Sequence, residues 1–163
     1  MAAEVATVVP RYEDEYLMLE KVADRDQTYL EFPCGTIENE EREEAALREF
    51  FEETGQVFDS VERLVSFPGY TVEKSTLDYE IYPHEVVVDE KFEPQLGVEH
   101  IDYEWVSQSF VFRNPEGKVG PERDKALEAV MATEDRYLEA SFTMKEDIPT
   151  VEEIFRKYQE ANF

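Results

Sequence analysis

The sequence has a single cysteine in 163 residues. Cys34 alone can form neither an internal disulfide nor a thiolate zinc site, which fits a reducing compartment. No apolar run approaches the roughly 20 residues of a membrane span, and the first residues form no basic, apolar leader. A soluble, cytoplasmic protein with no membrane partner is expected. Basic residues are also scarce: 16 lysines and arginines stand against 40 acidic residues, for a net charge of −24. A surface of that sign repels nucleic acid, and any phosphate-bearing ligand needs a cation to lift the repulsion. Divalent metal is therefore an early expectation.

What is present argues for a folded body. Hydrophobic residues make up 42% and aromatics 13%, well above an acidic disordered chain, and the length suits one domain over residues 1–163. The runs 4–9 and 15–22 read as strands around a turn, followed by a short extended piece, TYLEFPCG. Further strands are expected at 61–67, 77–82, 84–90 and 103–107, with Pro68-Gly69 marking a turn and Pro83 interrupting its run or lying on an edge. Residues 40–54 carry helical periodicity that stops at Gly55. Two more helices are expected over 121–132 and 149–161, each opening on proline. A mixed sheet with helices on its faces, an α/β or α+β single domain, follows.

The stretch GTIENEEREEAALREFFEETG over 35–55 places 8 glutamates in 21 residues. On a helix at about 100° per residue with Glu49 at zero, Glu52 falls near −60° and Glu53 near +40°. The three carboxylates share one face, while Leu47, Phe50, Phe51 and Thr54 lie on the opposite side. Like charges four residues apart destabilise a helix by a few tenths of a kcal/mol. A hard divalent cation would offset that cost, since carboxylates on successive turns can converge on it and leave room for a phosphate. Ala45, one turn earlier on that face, leaves space. A solvated acidic face on an acidic protein is the competing explanation.

The wider pattern resembles the Nudix box, G-x5-E-x7-R-E-U-x-E-E-x-G-U, with U a bulky apolar residue. Gly35, Glu40, Arg48-Glu49-Phe50, Glu52-Glu53 and Gly55 match it. The departures are the four residues, rather than five, between Gly35 and Glu40, and Gln56 where an apolar residue is usual. The resemblance implies a Nudix-type α/β/α sandwich with a mixed β-sheet, in which divalent cations are held against the diphosphate of a nucleoside diphosphate linked to another group. The implied metal ligands are Glu49, Glu52, Glu53 and the Gly35 carbonyl, with Mg²⁺, or alternatively Mn²⁺, as the ion. Either Glu49 or a glutamate outside the box would activate the attacking water. Arg48, with Glu40, would orient the carboxylates by ion pairing.

Further along, EHIDYEWVS (99–107) resembles the E-H-x-x-Y-x-W-V segment of many Nudix enzymes, so either Glu99 or Glu104 would complete the metal site. An alternation of Tyr103 and Trp105 into the core, with Glu104 in water, competes with that role. His100 and His84 are expected to be structural, and Glu90 or Glu93 is a candidate mobile base. Tyr70 is a candidate to stack on a base as substrate-binding residue. The last helix, with Ile154, Phe155 and Tyr158 at helical spacing, is expected to cover either the sheet or the partner subunit of a homodimer. The leading expectation is a Mg²⁺-dependent pyrophosphohydrolase of a dinucleoside polyphosphate, nucleoside triphosphate or ADP-ribose-like nucleotide. Its rival is a non-catalytic Nudix-fold module sensing nucleotide or metal. The intact Arg48-Glu49 and Glu52-Glu53 argue against the rival.

Overall fold

The computed structural model describes residues 2–23, 27–74, 76–121, 123–131 and 138–163. Among them, nine strands form one mixed sheet: β1 (Ala3–Tyr12), β2 (Glu15–Val22), β3 (Thr28–Glu31), β4 (Cys34–Thr36), β5 (Val61–Ser66), β6 (Tyr70–Glu73), β7 (Asp78–Val88), β8 (His100–Ser107) and β9 (Ser141–Met144). The main order is β3-β2-β1-β7-β5-β9, with β4 on β1, β6 on β7 and β8 on β2. The β1–β7 pair is parallel, from Ala3↔Tyr79 to Arg11↔Val87. The helices α1 (Arg42–Thr54), α2 (Gln108–Arg113), α3 (Arg123–Val130) and α4 (Val151–Asn162) accompany the sheet.

Period-two alternation buries both faces of the sheet. Val8, Leu64 and Val86 pack with Leu47 and Phe50 of α1 and Ile154 of α4. Their neighbours Val9 and Val65 point the other way, onto Ala126, Leu127 and Val130 of α3 and Val111 of α2. The result is an α/β/α sandwich, as successive side chains of a strand must supply two cores when helices cover both faces. No helix among the described residues is long and apolar enough to cross a membrane.

Pro83 does not interrupt its strand. The expected strands 77–82 and 84–90 are one, β7, which runs through the proline and ends at Val88. In an extended strand the nitrogen and carbonyl of one residue point to the same side. The Pro83 carbonyl accepts from Phe67 N–H at 3.0 Å, so the missing donor falls at Phe67–Gly69. There the neighbour changes from β5, last paired at Ser66↔His84, to β6, first paired at Tyr70↔Ile81. The proline thus costs only the reciprocal bond of the Phe67–Pro83 pair, at the point where the ladder changes partner.

The helix expected over 121–132 appears as α3, with Glu122 and Ala132 outside the described residues. The last helix covers α1 within the chain: Phe155 meets Phe51 at 5.5 Å between ring centroids, and Ile154 is buried in the core on that face.

Candidate active site

Helix α1 is built to end where it does. Glu41 caps its first turn reciprocally with Glu44, satisfying backbone donors that the helix leaves open. Gly55 takes the left-handed conformation at φ 68° and donates to the Phe51 carbonyl at 2.7 Å, a conformation costly for a residue with a Cβ. Glu43 and Glu44 in the first turn suit the helix dipole, but Glu52 and Glu53 stand in the last turn, where no basic residue accompanies them. Negative charge there opposes the dipole.

Arg48, almost fully buried, gathers the carboxylates beside it. Its Nε and Nη2 donate to Glu40 at 3.0 and 2.6 Å, its Nη1 to Glu49 at 3.0 Å and to Glu52 at 3.2 Å, and its Nη2 to the Thr36 carbonyl at 3.2 Å. The loop from Gly35 to Glu40, one residue shorter than the motif, still delivers Glu40. Asn39 turns it with φ 52°, a left-handed conformation that asparagine tolerates better than most residues.

Strand β4 holds the glycine against the helix. Gly35 pairs with Ala6 of β1, and a Cβ there would lie 2.0 Å from Glu49 Oε1. The residue is glycine because the Glu49 carboxylate occupies the side-chain space. Next to it, Cys34 N–H donates to Glu53 Oε2 at 2.9 Å. The Cys34 thiol is pushed up to about 12 by burial and by Glu31 and Glu53, so it is no nucleophile at neutral pH.

The loop over 89–99 brings the third wall. Phe92 packs edge-on between Phe50 and Trp105, at 5.8 and 5.5 Å, and its carbonyl accepts from Trp105 Nε1 at 3.3 Å. Gln95 N–H caps the Thr54 carbonyl at 2.6 Å. The loop therefore crosses the C-terminal end of α1 and delivers Glu99 and His100. One ligand atom each from Glu53, Glu99 and His100 lie within 4.8 Å of one another, spacing that could hold a metal ion. His100 Nε2 lies 2.9 Å from Glu31 Oε2, while its buried Nδ1 has no partner. Arg123 Nη2 donates to the other Glu31 oxygen at 2.9 Å. Burial alone would raise the Glu31 carboxyl, but the hydrogen bonds from His100 and Arg123 outweigh it and bring the group below its ordinary value.

Together these groups line a cavity of about 500 Å³: Cys34, Gly35, Thr36, Glu38, Glu49, Glu52, Glu53, Gly97, Val98, Glu99 and His100. None of these is a lysine or arginine. Burial, followed by Glu52 and Glu40, raises Glu49 to about 7 against the pull of Arg48. Burial, then Glu49 and Glu31, raises Glu53 to about 9. Buried carboxylates facing one another without a cation resist ionising.

A family model for the NUDIX domain matches residues 2–130. The chain belongs to the Nudix family. Among solved structures it is similar to a NUDIX hydrolase from Nitrosomonas europaea, with 21% identity, 79% of this chain and 88% of that chain covered, and a TM-score of 0.61. It is similar in fold to an Ap4A hydrolase of C. elegans, with 17% identity, 78% and 94% coverage and a TM-score of 0.62. A third likeness is to a bifunctional NMN adenylyltransferase/ADP ribose pyrophosphatase of Francisella tularensis, complexed with AMP and Mn ion. There identity is 17%, coverage 78% of this chain and 40% of that one, and the TM-score 0.59. A search of curated proteins returns no match.

Of the residues singled out in the Nudix box, Gly35, Glu49, Glu52 and Glu53 stand on the cavity wall, and Arg48 with Glu40 lies behind it. Glu99 reaches the cavity and Glu104 does not: it points to solvent from β8, opposite Met18. Glu90 and Glu93 are exposed and line no part of this cavity. Tyr70 lines a second cavity of about 300 Å³, which shares Cys34 with the first and includes Phe32, Tyr79 and Arg123. Glu38, not singled out from the sequence, also lines the cavity, and His100, expected to be structural, stands on its wall while bound to Glu31. Gln56 fills its unusual place by donating to Ser60 Oγ at 3.0 Å, and the buried Phe58 supplies the apolar plug.

Proposed function

We propose that this Nudix-family protein is a hydrolase, a divalent-cation-dependent pyrophosphohydrolase of a nucleoside diphosphate linked to another moiety. The observation that carries it is the cavity itself. Five glutamates, Glu38, Glu49, Glu52, Glu53 and Glu99, line it without a lysine or arginine among the lining residues, so a diphosphate has no protein cation to meet there. The donor set, carboxylates with one imidazole, fits a hard to borderline divalent ion such as Mg²⁺ or Mn²⁺.

In this reading Glu52, Glu53 and Glu99 hold the cation, with Glu49, the Gly35 backbone and His100 beside them. The bound ion would polarise phosphoryl oxygens and lower the pKa of the attacking water. Cys34 N–H fixes one Glu53 oxygen and leaves the other to the cavity. Glu49, held at about 7 by burial and its acidic neighbours, is suited to accept a proton from water near neutral pH. Arg48 Nη1 holds both Glu49 and Glu52 in register while Arg48 itself is not among the residues lining the cavity. The organic half of the substrate would lie in the neighbouring cavity, with Tyr70 offering an aromatic face. The substrate classes that fit are a dinucleoside polyphosphate, a nucleoside triphosphate or an ADP-ribose-like nucleotide, met in the cytoplasm.

The test is product formation from diadenosine tetraphosphate, ADP-ribose, nucleoside triphosphates and nucleotide sugars, with Mg²⁺ or Mn²⁺, at low and molar salt. Wild type is compared with Glu52→Gln/Glu53→Gln. Metal-dependent cleavage lost in the double variant supports the reading. Nucleotide binding without cleavage of any member would replace it with a sensing module.

A further inference from the structure

The family match ends at residue 130, yet helix α4, beyond it, is tied to the box loop more closely than any packing role requires. The Tyr158 hydroxyl donates to Glu38 Oε2. Asn162 Nδ2 donates to the Glu38 carbonyl at 3.0 Å, and Asn39 Nδ2 donates to Asn162 Oδ1 at 3.2 Å. Lys157 pairs with Glu44 at 3.0 Å. The Arg48 guanidinium lies under the Tyr158 ring at 4.5 Å from its centroid, while its in-plane N–H groups go to Glu40, Glu49, Glu52 and the Thr36 carbonyl.

We infer that α4 is a brace for the shortened loop over 36–40 and that Tyr158 is a positioning residue for the hydrolytic site. This rests on the cavity being that site. Thr36 and Glu38 line the cavity, and Glu49 and Glu52 take their places from Arg48. The loop has one residue fewer than the motif and turns on a left-handed Asn39. Within the loop the Glu38 N–H donates to Glu40 Oε1 at 3.2 Å; from outside it, α4 holds the tip, Tyr158 taking the side chain of Glu38 and Asn162 its carbonyl. The tyrosine ring covers one face of Arg48, and shielding a guanidinium from water strengthens both the cation–π contact and the ion pairs in its plane. One side chain therefore sets the position of a cavity-lining glutamate and of the arginine that orders two others.

The experiment compares full-length wild type, Tyr158→Phe, Tyr158→Ala and, as a control for helix docking, Phe155→Leu. Three quantities are read: amide hydrogen exchange over 36–40, Mn²⁺ affinity by electron paramagnetic resonance, and the thermal midpoint. Tyr158→Phe keeps the ring and loses the hydroxyl. It should speed exchange at the loop and weaken Mn²⁺ binding about 10-fold, the usual scale for removing a partner that orients metal ligands, with the thermal midpoint near wild type. Tyr158→Ala should weaken binding further. Phe155→Leu should lower the midpoint without changing loop exchange. Wild-type exchange at 36–40 in both tyrosine variants, or the same loosening in Phe155→Leu, would overturn the inference. If wild type cleaves no nucleotide, the function proposed above fails, and loop exchange still decides whether α4 braces the loop.

Discussion

Two groups of carboxylates gather around helix α1 and differ in what faces them. Glu40 and one oxygen of Glu49 close around Arg48 at hydrogen-bond distance, with both side chains of the Arg48–Glu40 pair at most 5% exposed. One turn on, Glu53 and, across the cavity, Glu99 meet no lysine or arginine, and Glu53 is raised to about 9 by its burial and its neighbours. A buried ion pair with satisfied donors is architecture. Carboxylates held near one another at an electrostatic cost suit the cation that the proposed function assigns to them. The glutamates of α1 look alike as letters, and only their surroundings divide them.

Glu53→Gln should separate the two groups most sharply. Its side chain is isosteric, so the fold should stand, while metal-dependent hydrolysis falls by at least about 100-fold, the upper end of what even indirect ligand support is worth. Unfolding in urea measured beside the assay checks both halves. Arg48→Ala should do the reverse in kind, costing about 3–5 kcal/mol of stability by leaving buried carboxylates without their partner. Denaturant midpoints would read that loss, and a change under about 1 kcal/mol would mean that the closed group is not architectural.

Gly35→Ala lies between them. A methyl group 2.0 Å from the Glu49 carboxylate must push it aside, for an expected loss of about 10-fold or more in kcat at a stability cost of about 1–3 kcal/mol. Activity equal to wild type would show that the position of Glu49 does not matter. pH offers a gentler probe. In metal-free protein Glu49 and Glu53 are raised from 4.5 to about 7 and about 9, so between those values the folded state binds more protons than the unfolded one. Stability from these groups is fully present below the unfolded value and is lost as pH rises through the folded ones. The thermal midpoint of metal-free protein should fall between pH 6 and pH 9, and Glu53→Gln should flatten the fall. The smallest effect is expected from Glu93→Gln, whose exposed side chain lines no part of the cavity; kcat should stay within about twofold. A large loss there would return the loop glutamate to consideration as base.

Much of this was legible because it is periodic or local. The carboxylate face of α1 and its stop at Gly55 follow from spacing alone, and the strands at 4–9 and 15–22 from their β-rich composition. The role of Pro83 was not legible, since it depends on β7 changing neighbours there, a fact of strands distant in sequence. Glu99 and Glu104 could not be told apart by letters. The loop anchored by Phe92 and Gln95 turns one inward and leaves the other on the solvent side of β8. The brace from α4 was equally hidden, because Tyr158 reads as one more member of an apolar stripe until its hydroxyl is seen on Glu38.

The most direct test of the central claim is a crystal structure of the protein soaked in Mn²⁺, with the metal located by its anomalous scattering. The account predicts manganese in the cavity, ligated by Glu53 together with Glu52, Glu99 or Glu49, and none between Arg48 and Glu40. Manganese absent from that cavity at concentrations that support hydrolysis would contradict it.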